Sequence, residues 1–123
     1  MAAMGTDGLG AAGEDAAARW LRDRGYLILA CGFRARCGEI DLVAQDGATI
    51  VFAEVKTRTS ALFGTPAEAV TARKRARIVR AAALYLLAAG WSERACRFDV
   101  LAVVPVGSGW RVTHLPDAFR PGD

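Results

Sequence analysis

Three charged side chains lie inside the stretch of this chain that most resembles a sheet core, and any fold must account for them. Gly38-Glu39-Ile40-Asp41-Leu42-Val43-Ala44-Gln45 and Thr49-Ile50-Val51-Phe52-Ala53-Glu54-Val55-Lys56-Thr57-Arg58 read as two strands of a hairpin, with Asp46-Gly47 as the turn signal between them. Asp41, Glu54 and Lys56 interrupt an otherwise apolar pattern. An unpaired charge buried in a strand costs several kcal/mol or shifts its pKa, so these groups need compensation. A divalent cation is one candidate.

Strand alternation puts Ile50, Phe52, Glu54 and Lys56 on one face, and Asp41 with Glu39 and Val43 on one face of the first strand. A two-residue loop at Asp46-Gly47 sets Asp41 diagonal to Glu54, whereas a turn centred on Gly47-Ala48 sets the two directly opposite. Either arrangement brings the carboxylates within roughly 4.5–8 Å, close enough for one cation to bridge, with Lys56 two residues along. The competing reading is a salt-bridged hairpin on a solvated face, since exposed ion pairs are common and worth little. Two features weigh against it. The neighbours are Val, Phe, Ala and Val, and of sixteen Lys plus Arg only Lys56 and Lys74 are lysine. Lysine is a compact charge whose pKa moves with its surroundings, unlike arginine.

The flanking chain predicts a mixed α/β arrangement. Residues 8–24 have helical periodicity through Leu9, Ala16, Trp20 and Leu21, and Gly25 ends the helix. Glu14 falls at the edge of its apolar stripe, where the residue pattern favours a half-exposed helix charge. Tyr26–Ala30 reads as a short strand leading into a bend over Cys31–Cys37 that carries Arg34 and Arg36. Residues 59–66 read as a loop. A helix over 72–89 is capped by Thr71 and closed by Gly90, with Ala72, Ala76, Val79, Ala83 and Leu86 as its expected core stripe. Its first turns carry Arg73, Lys74, Arg75, Arg77 and Arg80. Cations at a helix N-terminus oppose the macrodipole at about 0.3–1 kcal/mol each near the end, which favours a phosphate-facing patch over a merely solvated face. Arg97–Val104 reads as a strand, Pro105–Gly109 as a turn, Trp110–Leu115 as a final strand, and 116–123 as a frayed end. Asp99 is expected in a structural salt bridge with Arg97 or a neighbouring strand. His114, the only histidine, is read as surface or structural.

At 123 residues the chain is read as a single domain, with a strand–helix–strand unit over 49–104 able to form a parallel right-handed crossover. Cys31, Cys37 and Cys96 are odd in number and lack metal-ligand spacing, which fits reduced thiols and a cytoplasmic location. No basic n-region with an apolar run marks a signal peptide, and no stretch is apolar enough to span a membrane. A net charge of +3 is modest, so any case for nucleic acid rests on where the charge sits.

The two motif segments, Gly38–Ala44 and Val51–Arg58, resemble the signature of the YraN-like family of uncharacterised endonuclease-like proteins, placed in the PD-(D/E)xK nuclease superfamily near archaeal Holliday-junction resolvases. The likeness runs from about Gly10 to about Phe119 and includes Arg97-Phe98-Asp99-Val100. It implies a restriction-endonuclease-like core, a mixed β-sheet flanked by helices. It also implies Glu14 as the first-helix acid that reaches the metal site, and Lys74 as the helix lysine near the active site. On this reading the chain is a Mg²⁺-dependent endonuclease, with Mn²⁺ as substitute, that hydrolyses phosphodiester bonds of nucleic acid, DNA before RNA. Asp41, Glu54, Lys56 and Glu14 are the expected catalytic residues. Asp41, Glu54, the Val55 carbonyl and Glu14 are the expected metal ligands. Lys74, Arg73, Arg75, Arg77 and Arg58 are expected to grip nucleic acid, and a homodimer is compatible with two-strand cleavage. A non-cleaving nucleic-acid-binding or scaffold protein on the same fold is the alternative. A small-molecule metallohydrolase would not need the basic helix.

Overall fold

The computed structural model describes residues 6–58 and 70–122, without the side chains of residues 6–8. The predicted loop over 59–66 lies outside the described residues. Two helices, α1 (Thr6–Asp23) and α2 (Ala72–Ala89), accompany five strands: β1 (Leu27–Ala35), β2 (Gly38–Asp46), β3 (Thr49–Thr57), β4 (Cys96–Val106) and β5 (Gly109–Phe119). The strands form one sheet in sequence order. β3 and β4 run parallel and the other neighbours antiparallel. The fold is thus α/β with a mixed sheet, consistent with a restriction-endonuclease-like core.

Alternation along β3 assigns the two helices to opposite faces. Ile50 and Phe52 join the core formed with Ile78, Ala81, Ala82 and Leu86 of α2. Ala53 joins the core formed with Ala17, Ala18 and Leu21 of α1. Burying two apolar faces against two amphipathic helices is what makes a sheet of this size stable. α1 comes very close to the sheet at Gly13, where a Cβ would collide with the side chains of Thr57 and Val103. α2 comes close, though less so, to the start of β2, where a Cβ on Gly38 would lie 3.0 Å from the backbone oxygen of Arg77.

Several elements differ from the sequence prediction. β1 runs on through the predicted bend to Ala35, because pairing with β2 resumes on both sides of Gly32. Gly32 sits at φ +71, a conformation that glycine adopts without a steric penalty. The buried stripe of α2 is Ile78, Ala81, Ala82 and Leu86, while Ala72, Ala76 and Ala83 are exposed. The large Ile78 and Tyr85 side chains, with more area to bury than three alanines, set the rotation of the helix. β4 includes Pro105 and ends at Val106, and β5 continues to Phe119 rather than fraying after Leu115. The Phe119 ring is buried and stacks on Phe98 with centroids 5.3 Å apart, which holds the segment in the sheet. The caps of α2 are as predicted: Thr71 Oγ1 accepts from the Lys74 N–H at 3.2 Å, and Gly90 closes the helix at φ +74. No described helix is long and apolar enough to cross a membrane.

Candidate active site

The hairpin adopts the second of the two registers. Asp46 pairs with Thr49 and Leu42 with Ala53, so the loop is Gly47-Ala48 and the next step along sets Asp41 across from Glu54. Backbone pairing stops there. The Val55 N–H, which a regular ladder would give to a β2 carbonyl, is donated instead to Asp41 Oδ2 at 2.8 Å. Ile40 and Leu42, two apart, belong to different cores, Ile40 with α2 and Leu42 with α1. β2 therefore turns at Asp41 and parts from β3, leaving room at the end of the hairpin.

The two carboxyl groups meet in this space. Asp41 and Glu54 are in hydrogen-bond contact, with burial and then the adjoining Glu54 pushing the Asp41 pKa up to about 8. Burial alone would raise Glu54 as well, but its contacts with Asp41 and Lys74 outweigh that and hold it below the usual carboxylate range. The pair thus shares a proton, as like charges in one site must. Glu54 is 3% exposed. Its Oε2 lies 2.5 Å from Lys74 Nζ and 3.7 Å from Lys56 Nζ. The Lys74 contact is a close, charge-assisted one and the Lys56 contact a longer ion pair, so two ammonium groups compensate this buried oxygen among the described residues.

The two lysines respond to the same surroundings in opposite directions. Burial lowers the Lys56 pKa, and the nearby Lys74 and Arg58 charges add to that against the pull of Glu54. Burial would lower Lys74 too, but its contact with Glu54 prevails and raises it. Arg58 thus lies close enough to Lys56 to be felt electrostatically. Glu14, on α1, is raised by burial first and then by the charges of Glu54 and Glu39. The gap where β2 leaves β3 explains how an acid from the α1 side comes within electrostatic reach of Glu54. Among the described residues, however, no three His, Cys, Asp or Glu side chains converge as a cation cluster. Glu14 is an electrostatic neighbour of a carboxylate pair, not the third member of a closed set.

The basic residues of α2 divide between two places. Arg73, Lys74 and Arg77 line a groove of about 810 Å³, whose opposite wall is the β1–β2 turn carrying Arg34, Arg36 and Glu39. Arg75 and Arg80 instead border a separate hollow of about 260 Å³ near Arg120. Arg34 and Arg36 are absent from the residues expected to bind nucleic acid on sequence grounds. Arg34 lies near the end of β1 and Arg36 in the turn that follows, and the close approach of β2 to α2 at Gly38 sets both beside the α2 cations, which no spacing in the sequence displays.

Asp99 completes the charged interior on the other sheet face. It accepts from Arg97 Nε at 3.0 Å and from the Asp117 N–H at 3.0 Å, and lies 2.7 Å from His114 Nε2. Arg97 also donates to Asp46 and to the Tyr26 hydroxyl. The expected salt bridge is present, and His114 is one of its structural partners, held edge-on to Trp20 and Tyr26.

Residues 13–103 match the model of the uncharacterised protein family UPF0102. A UPF0102 protein of Symbiobacterium thermophilum is 54% identical over 113 residues, covering 91% of this chain and 96% of the relative. One of Moorella thermoacetica is 55% identical over 94 residues, 76% of this chain and 78% of the relative. One of Nocardia farcinica is 53% identical over 113 residues, 90% of this chain and 88% of the relative. The motif resemblance in the hairpin and this match over most of the chain agree, and the chain belongs to the UPF0102, or YraN-like, family.

Proposed function

We propose that this protein is a metal-dependent endonuclease acting on nucleic acid, DNA before RNA. The observation that carries the reading is the facing Asp41–Glu54 pair, with a buried Glu54 oxygen that two ammonium groups approach among the described residues. Ammonium nitrogens gathered around a buried carboxylate oxygen mark a place where positive charge is required. Oxygen donors of this kind suit a hard cation such as Mg²⁺ or Mn²⁺. Asp41, Glu54 and the Val55 carbonyl would hold it, with water completing the shell and Glu14 adding charge from α1. Such a cation polarises a phosphodiester and acidifies a bound water.

The chain's own residues divide the remaining work. Lys56, 18% exposed at its side chain and lowered in pKa, is suited to orient a water and exchange a proton with it. Lys74 is positioned to leave Glu54 for an incoming phosphate, where its charge would offset that of the transition state. Arg73 and Arg77 would hold the backbone of the substrate independently of sequence.

A second reading has one observation in its favour. Lys56, Lys74 and the shared proton already compensate Glu54 and Asp41, so the pair can persist without a cation in a protein that binds nucleic acid but does not cut it. Cleavage of branched, flapped, single-stranded and duplex substrates with Mg²⁺ or Mn²⁺ separates the two. A nuclease cuts at least one of them and loses that activity in Asp41→Asn, Glu54→Gln and Lys56→Ala, by about 10²–10³-fold or more for each. Failure of the wild type on the whole panel leaves the binding protein.

A further inference from the structure

The groove that Lys74 shares with the carboxylate pair has a second wall. Arg34 and Arg36 project from the end of β1 and its turn, opposite Arg73, Lys74 and Arg77 of α2. The two walls are packed together, since Gly38 lets the backbone of β2 lie against Arg77, where a Cβ would be only 3.0 Å from the Arg77 backbone oxygen. The groove therefore has a set width between two rows of cations, and Lys74 joins it to Glu54. Arg34 pairs with Glu39 at 3.3 Å, but both side chains are mostly exposed. A pair so exposed contributes little, so the guanidinium can be redirected to a phosphate at small cost.

The character of the lining decides what kind of strand it suits. Its uncharged residues are Ala35, Cys37, Gly38, Thr71 and Ile78, with no aromatic ring among the described residues. Proteins that hold unpaired strands combine a basic groove with aromatic platforms, because exposed bases must stack on something. Bases within a duplex are already stacked on one another and need no such platform. Resting on the nuclease reading above, we propose that this groove takes the sugar–phosphate backbone of one strand of a paired, double-helical arm. Arg34 and Arg36 grip the side of that strand away from α2, and the substrate class is duplex or branched-duplex nucleic acid rather than free single strand.

The test is binding by fluorescence anisotropy, without divalent metal, of a labelled duplex of about 20 base pairs and of its separate labelled strand, over a salt series. Arg34→Ala/Arg36→Ala and the charge reversal Arg36→Glu are compared with Arg73→Ala/Arg77→Ala, with circular dichroism to establish that each is folded. The wild type is expected to bind duplex tighter than single strand. The Arg34/Arg36 pair should lose affinity for duplexes of any sequence and about 1.8 of the log–log salt slope, at about 0.9 per phosphate contact. Arg36→Glu should weaken binding further. Equal or tighter binding of the single strand overturns the duplex assignment. Duplex binding that falls in Arg73→Ala/Arg77→Ala but not in the Arg34/Arg36 variants overturns the second wall and leaves the nuclease reading standing. Absence of any nucleic-acid binding by the folded wild type brings down both.

Discussion

Glu54 and Asp99, the two buried acids of the sheet, lie one step out of register on adjacent parallel strands and face opposite sides. Glu54 is level with Val100, and Asp99 with Ala53. Their surroundings give them different tasks. Asp99 has an arginine, a histidine and a backbone N–H directed at its oxygens. Glu54 has a second carboxyl group against it and two lysine ammoniums close to one of its oxygens. A satisfied buried charge fixes structure, whereas one set against a second carboxyl group beside an open groove is where a ligand belongs.

Replacing Asp99 should therefore cost stability and leave the hairpin site intact. Removing one partner of a buried ion pair costs about 3–5 kcal/mol, because the remaining charge is stranded. Asp99→Ala is expected to lower Tm by at least about 10 °C. The sign of its pH dependence follows from its environment. Burial would raise Asp99, but His114, Arg97 and the Asp117 N–H hold it below the ordinary value. A lowered carboxylate gives stability that is present above the unfolded pKa, near 3.9, and is lost as pH falls through the folded one. Thermal melts between pH 3 and 6 should show an acid limb in the wild type that is shallower in Asp99→Asn.

Asp41 predicts the opposite slope. Its pKa is raised to about 8, first by burial and then by Glu54. A raised carboxylate gives stability that is complete below the unfolded value, about 3.9, and is lost as pH rises through the folded one. In EDTA the wild type should lose stability between about pH 4 and 8, and Asp41→Asn, which carries no charge to desolvate, should lose less. Parallel profiles for the two proteins would rule out a protonated Asp41.

The approach of α1 to the sheet makes a packing prediction. Gly13→Ala drives a methyl group into Thr57 and Val103, and overpacking of this kind costs about 1–3 kcal/mol. Thr57→Ala removes the nearer obstruction. The double variant should recover part of the loss, with a coupling of about 0.5–3 kcal/mol in denaturant melts. Strict additivity would mean that the helix does not rest on Thr57.

The hairpin and both ends of α2 were legible because their signals are local. Gly47 permits the turn at φ +60, Thr71 supplies a cap oxygen, and Gly90 adopts a left-handed conformation. The orientation of α2 was not legible, since alanines satisfy helical spacing on several faces and only tertiary contact shows that Ile78 faces the sheet. The continuation of β1 was hidden by Gly32, which serves equally as a bend and as an irregular strand residue. The groove joins residues about forty positions apart, and Asp99 meets His114 through the pairing of β4 and β5. Neither depends on a spacing that the chain itself displays. Asp41 and Glu54 stood out because charge in an apolar strand is costly wherever the strand lies.

Lys74 offers the sharpest test of what the carboxylate pair is for, because its two proposed tasks respond in opposite directions. Its Nζ is 2.5 Å from Glu54 Oε2, in the place where positive charge is wanted. An ammonium there competes with a divalent cation for the same oxygen, while the same side chain lines the groove and faces any backbone lying in it. Lys74→Ala should therefore bind Mn²⁺ more tightly than the wild type, as followed by electron paramagnetic resonance or by the rise in Tm on adding metal. It should also bind duplex nucleic acid more weakly, losing about 0.9 of the salt slope for one phosphate contact. Lys74→Gln should act in the same directions, since it keeps most of the side-chain length without the charge. Asp41→Asn and Glu54→Gln should both lose metal affinity, which ties the Lys74 effect to this pair rather than to net charge. If Lys74→Ala instead weakens Mn²⁺ binding, the ammonium is supporting Glu54 rather than standing in the path of a cation. The salt-bridged, non-cleaving site would then be the better account of these residues.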